Sequence, residues 1–406
     1  MKFEAFDQAS IAHHGNENTT QEQNYPARLD SILGTSDFTT ATSVISQWSG
    51  YKATPLHALN ALARDIGISS VYYKDEGSRF GLGSFKALGG AYAVLRLLSE
   101  EIEKITGKPV SDTDIGTGKY DDITKNLMVI TATDGNHGRS VAWGAQKFGC
   151  PCKIYMHPGV SQVRAKAIEA YGAEIVWCEG NYDDSVAQAS SDALTNNWFV
   201  VSDNSYEGYL DRPRDVMAGY SVMTSEIMNQ LPDQLTPSHV FVQGGCGGLA
   251  AAVCAHFWHS YGKDRPRFIV VEPDKADCIY QSSVQGRMIN VNITDETIMA
   301  GLSCGKVSLL AWDIINKGTD DVLVIGDELV GPTMRLLANG ESDPPVVAGE
   351  SAVAGLAGLI AATRAPKLKH ALKLDEQSSV LIIGTEGATD PEIYQSIVGR
   401  HPVDIV

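Results

Sequence analysis

Short apolar runs alternate with longer stretches whose hydrophobic residues fall on one helical face, and this alternation organises most of the 406-residue chain. Val71-Tyr72-Tyr73-Lys74 reads as a strand, and residues 86–98 as a helix with Phe85, Leu88, Tyr92 and Leu95 on one side. Residues 101–126, rich in Asp, Lys, Thr and Gly, read as a surface excursion. Beyond them the pattern predicts strands over 127–133, 152–156, 174–178 and 198–202, separated by helices over 140–148, 161–171 and 182–195. A second series opens with a strand over 239–243 and a helical run over 249–261. It continues through strands at 268–271, 322–325 and 380–383. Near-continuous apolar strands separated by amphipathic helices predict parallel sheets covered on both faces, an α/β architecture. The apolar stretch 352–362 is too short to span a bilayer and fits a buried helix. Residues 1–50 are polar and are expected to wrap the surface or a partner subunit; no short-period repeat is visible.

Three motifs sit where these strands end. In Ser84-Phe85-Lys86, preceded by Gly81-Leu82-Gly83, a lysine stands at the mouth of a helix. The positive end of the helix dipole depresses its pKa and makes the neutral amine more accessible. In isolation such a lysine is more often a solvated surface charge. Thr131-Ala132-Thr133-Asp134-Gly135-Asn136-His137-Gly138 follows a buried strand, at the strand end where open α/β sheets place their ligands. There the Asn136 amide can bond a phenolic oxygen. An ordinary turn built from Asp, Gly and Asn is the plainer reading, and His137 suits a structural turn better than catalysis. Gly244-Gly245-Cys246-Gly247-Gly248, between a strand and a helix, leaves unobstructed backbone N–H groups suited to a phosphate. It lacks the Lys-Ser/Thr ending of a nucleotide loop and the acidic partner of a dinucleotide fold. A ligand-free tight turn is the alternative.

Composition narrows the partners. The formal net charge of −17 disfavours nucleic acid and anionic membrane surfaces. Hydrophobic content of 43% and charged content of 20% are ordinary for a soluble domain, and one or two domains are expected. The polar first 20 residues predict no secretory signal. Seven irregularly spaced cysteines argue against a disulfide framework and for a reducing compartment, most simply the cytoplasm. Cys150-Pro151-Cys152 lacks zinc-knuckle spacing, and no metal is expected.

An activated amine, an Asn-bearing turn and a glycine phosphate loop, in that order, resemble the fold type II pyridoxal 5'-phosphate (PLP) enzymes. The amine is what a Schiff base to that cofactor requires. The likeness runs from Thr54-Pro55-Leu56 to Gly384-Thr385-Glu386-Gly387. Within that superfamily, Asp134-Gly135-Asn136-His137-Gly138 is similar to the diaminopropionate ammonia-lyases, since serine and threonine dehydratases usually carry serine at the position of Asp134. Residues 204–209 and 297–302 share that similarity. The resemblance implies two open parallel-sheet domains with the cofactor in the cleft between them. Residues 1–120 and 211–406 would form the large domain and 121–210 the small one. It implies Lys86 as the cofactor lysine and Asp134 and Asp203 as acid/base groups. Asn136, Gly244, Gly245, Cys246, Gly247, Gly248 and Thr385 would contact the cofactor. Related enzymes commonly carry serine where this chain has Gly384, which leaves the partner of the pyridine nitrogen open by one register. The implied activity is α,β-elimination of D- or L-2,3-diaminopropionate to pyruvate and two ammonia by a homodimer. The alternatives are a serine/threonine-type dehydratase or β-replacement synthase of the same fold, and a non-catalytic PLP-binding protein.

Overall fold

A computed structural model describes residues 3–20, 23–133, 135–232 and 235–405. The chain divides into two compact units, one of Met1–Thr35, Lys52–Phe85 and Met223–Val406, the other of Ser36–Tyr51 and Lys86–Val222. In chain order the strands are β1 (Ala12–Gly15), β2 (Leu56–Ala58) and β3 (Ser70–Asp75) in the first unit. Next come β4 (Val129–Ala132), β5 (Cys152–Met156), β6 (Glu174–Trp177) and β7 (Phe199–Val200) in the second. The first unit resumes with β8 (His239–Gln243), β9 (Arg267–Pro273), β10 (Asp321–Ile325) and β11 (Ser379–Gly384).

The first unit holds a seven-stranded sheet in the order β1-β10-β9-β8-β11-β3-β2. Its five inner strands are parallel, and β1 and β2 close the two edges antiparallel. Every residue of β8, β10 and β11 is buried, as expected of strands covered on both faces. The apolar 352–362 stretch forms the buried helix Ala354–Arg364, which packs on β8 to β11. In the second unit a four-stranded sheet, β6-β5-β4-β7, is parallel throughout.

Two helices of the second unit approach unusually closely. They are Lys86–Thr106 and Asn136–Phe148. A methyl group added at Gly144 would lie 2.7 Å from Ala91 Cα, so only glycine fits that contact. The Lys86 helix runs eight residues beyond the 98 read from the sequence, because Ile102 continues the buried stripe of Leu95 and Leu98. The polar 101–126 stretch also carries two short helices, Asp112–Gly116 and Asp121–Thr124. The second helix of the pair starts at Asn136 rather than 140, because the Thr133 hydroxyl accepts from the Gly135 and Gly138 N–H groups at 3.0 and 3.1 Å.

A buried ionic cluster supports the chain where β3 leads toward Lys86. Lys74 Nζ lies 2.7 Å from Glu226 and donates to the Thr54 carbonyl and Gln230 at 2.8 Å each. Arg79 donates to both carboxylate oxygens of Glu76 and both of Glu226. Burial lowers the Lys74 pKa, opposed by Glu76 and Glu226. Beyond Arg79 the chain turns through Phe80 with φ of 52°, a left-handed conformation that a bulky residue rarely adopts. The segment is then clamped to the end of β11. Phe85 N–H donates to the Thr385 carbonyl and Gly387 N–H to the Gly83 carbonyl, both at 3.0 Å, and Ser84 bridges Glu386.

Candidate active site

In the second unit, Lys86, His137 and Asp203 come together. Lys86 is the first residue of its helix, and its Nζ donates to Asp203 Oδ2 in a short ion-paired hydrogen bond. The Tyr220 ring lies beneath the same amine, 5.7 Å from Nζ to the ring centroid. Asp203 follows β7 in a braced segment. Tyr209 donates its hydroxyl to the Val200 carbonyl and accepts from Ser202 N–H, each at 2.9 Å. His137 Nε2 donates to the Val201 carbonyl at 2.8 Å, which leaves Nδ1 facing Asp203 Oδ2 at 3.8 Å. Burial lowers the His137 pKa, so the ring is neutral. Burial pushes the Asp203 carboxyl up, but the Lys86 ammonium outweighs it and holds Asp203 well below the usual carboxylate range. Asn136 opens the helix that carries His137. Asp134 lies outside the described residues.

In the first unit, the glycine loop leaves the end of β8, the strand adjacent to β11. Gly247 caps the helix Gly248–Tyr261 in the left-handed region with φ of 92°, and no side chain caps the first turn. The first N–H groups of a helix start without a side-chain cap need acceptors, which a phosphate can supply. Glu272 on β9 holds the loop from behind. A methyl at Gly244 would meet Glu272 Cγ at 2.5 Å. Glu272 also accepts from Ile279 N–H at 3.0 Å and Tyr280 N–H at 2.7 Å, at the start of the helix Cys278–Gln285. Burial pushes its carboxyl up to about 8, against those two N–H donors.

Thr385 is buried one residue past β11. The register question at Gly384 has a steric answer. A Cβ there would lie 2.2 Å from the Tyr73 ring, so Tyr73 fills the space a serine side chain would need. The Tyr73 hydroxyl is itself buried, with no hydrogen-bond partner among the described residues. Sequence reading missed Tyr73, Tyr220 and the brace from Tyr209, none of which carries a local signal of its role.

In the second unit a charge-paired lysine at a helix start, a neutral histidine and a carboxylate, and in the first unit a glycine loop at a helix start, are each of a kind that suits PLP. The known proteins agree. Residues 48–386 match the family described as "Pyridoxal-phosphate dependent enzyme". Diaminopropionate ammonia-lyase of Escherichia coli (strain K12) is 39% identical over 366 residues, covering 87% of this chain and 90% of that one. The E. coli enzyme in complex with an aminoacrylate-PLP azomethine reaction intermediate superposes with a TM-score of 0.86 at 35% identity, covering 96% of this chain and 97% of that one. Its complex with D-serine gives 0.86 at 36%, with the same coverage. Matched by that family over residues 48–386 and by the E. coli enzyme over most of its length, the chain belongs to the pyridoxal-phosphate dependent enzymes, in the family of the diaminopropionate ammonia-lyases.

Proposed function

We propose that this PLP-dependent lyase eliminates ammonia from 2,3-diaminopropionate, taking the D and L forms, and that with one water it releases pyruvate and two ammonia. The observation that carries the reading is the Lys86–Asp203 contact, which sets a carboxylate beside the amine that would hold the cofactor. When bound, PLP supplies an electron sink conjugated to the substrate Cα. Lys86 Nζ would hold its aldehyde carbon, the 244–248 loop its phosphate, Asn136 its phenolic oxygen and Thr385 its pyridine nitrogen. The lack of room at Gly384 favours Thr385 for that last contact.

Asp203 takes or returns a proton at Cα on one face. While Lys86 is an ammonium, that charge keeps Asp203 a weak base. When the amine loses its charge, burial takes over and the carboxyl becomes basic enough to carry protons. Asp134 is given the second acid/base role, in which a carboxylate suits the second ammonium of the substrate. His137 stays neutral and holds the Val201–Asp203 segment in place.

The family likeness further supports a homodimer, and the irregular cysteine spacing a cytoplasmic setting. Pyruvate release from D- and L-2,3-diaminopropionate, with D- and L-serine and L-threonine alongside, tests the reading. Turnover of both diaminopropionate enantiomers above the hydroxy-amino acids is expected. A wide preference for serine or threonine would replace it with the dehydratase.

A further inference from the structure

Apart from Lys86 and its partners, the second unit contains a pocket of ≈ 180 Å³. The first turn of the helix Thr35–Ile45 lines it, as do the middle of the Lys86 helix and the first turn of the helix Asp211–Gln230. Two of its three arginines are spoken for. Arg212 Nη2 lies 2.7 Å from each Glu100 carboxylate oxygen, and Arg214 donates to Asp37 at 2.9 Å. These two pairs cancel.

The remaining groups are not matched. Among the described residues Arg96 has one ion pair, with Asp215 at 4.0 Å, beyond hydrogen-bond range. Arg212 Nη1 and Asp215 Oδ2 face each other at 3.2 Å, yet neither makes a hydrogen bond among the described residues. The Arg212 side chain lines the pocket and is only 8% exposed, so its N–H that makes no hydrogen bond is a buried donor. Burial pushes the Asp215 carboxyl up to about 7, against Arg212 and Arg96. Asp211, on the first turn of its helix, lines the same space.

What the pocket offers is therefore guanidinium donors, Arg96 with the spare Arg212 N–H, next to carboxyls, Asp211 with Asp215. A simple anion would meet the carboxyls, and a simple cation would leave Arg96 unmatched. Among the described residues no cluster of three or more His, Cys, Asp or Glu could hold a metal ion. We propose that this pocket binds a free amino acid as its zwitterion, carboxylate on Arg96 and Arg212 Nη1 and ammonium on Asp211 and Asp215. An occupant spanning Arg96 and Asp215 ties the helix that carries Lys86 to the helix that carries Tyr220.

The test uses the holoenzyme and N,N-dimethylglycine, a zwitterion whose tertiary amine cannot condense with an aldehyde and so leaves the cofactor alone. Calorimetry should show one saturable site per chain, and the melting temperature should rise with occupancy. Acetate and dimethylammonium, each carrying one half of the charge pattern, should bind at least about tenfold more weakly. Arg96→Gln and Asp215→Asn should each weaken binding by about tenfold or more, with cofactor absorbance and circular dichroism unchanged. Arg96 is partly exposed, so its variant stays folded even if Asp215→Asn does not. No saturable heat up to on the order of 100 mM, acetate binding as tightly as the zwitterion, or variants that bind like the parent would each overturn the proposal.

Discussion

Asp203 is an acid kept ionised by its neighbours, and its usefulness depends on how those neighbours change. Lys86 holds it down while burial works in the opposite direction. Losing a positioned general base typically costs about 10²–10⁴-fold in rate. Asp203→Asn and Asp134→Asn should therefore each cut turnover by about that range, and unequally between the D and L substrates. Steady-state rates on the separate enantiomers check this, and two variants at full activity on both would remove these aspartates from the mechanism. Lys86, Asn136 and the glycines stood out in the sequence because each sits in a short motif at the end of a strand or the start of a helix. Tyr73 was not. Its bearing on Gly384 comes from two strands paired across some 300 residues, and nothing around Val71-Tyr72-Tyr73 marks it.

Elements carry the next layer of control, through the ends of strands and helices. Gly245 has φ of 63°, but its missing side chain has room, since the nearest atom to an added Cβ lies at 3.6 Å. Gly245→Asp should therefore fold, with a backbone penalty of about 1–2 kcal/mol, and repel the cofactor phosphate. PLP affinity measured by apoenzyme titration should fall sharply, and an unchanged affinity would move the phosphate elsewhere. Glu272, behind the loop, makes stability pH-dependent. Its folded pKa of about 8 lies above the unfolded value, so its contribution is complete below about pH 4 and fades as pH rises toward 8. In Glu272→Gln the loss of denaturation midpoint between pH 5 and 8 should be smaller than in the parent, and an equal loss would contradict the assignment. Strand positions were legible because β8, β10 and β11 carry the near-continuous apolar runs 240–242, 322–325 and 380–383. Helix limits were less so, because Ile102 and Ile115 are single buried residues in polar surroundings.

At the scale of the whole molecule, the Lys74–Arg79–Glu226 cluster joins residues some 150 positions apart inside the first unit. Truncating one partner of a buried ionic network typically costs about 3–5 kcal/mol, because the remaining charges stay buried and unmatched. Glu226→Gln should lower the urea midpoint accordingly, whereas a surface change such as Lys125→Gln should leave it unmoved; equal midpoints for the two would mean the cluster is not what holds this region. The parallel character of both sheets was legible from the strand–helix alternation. The strand order was not, since β1-β10-β9-β8-β11-β3-β2 depends on pairings that no local pattern encodes.

That strand order has a consequence for biosynthesis. The second unit is complete once residue 222 has been made, whereas β3 has only one parallel neighbour, β11, near the end of the chain. At about 5–20 residues per second, β3 waits roughly 15–60 s for that partner. During the wait its apolar run is an unpaired sheet edge, the kind of surface that holdase chaperones cover and that aggregates when they are scarce. Ribosome-stalled chains ending near residue 300 should resist protease over 86–222 and be cut over 52–85. Equal protection of both stretches would mean the first unit closes without its last strand.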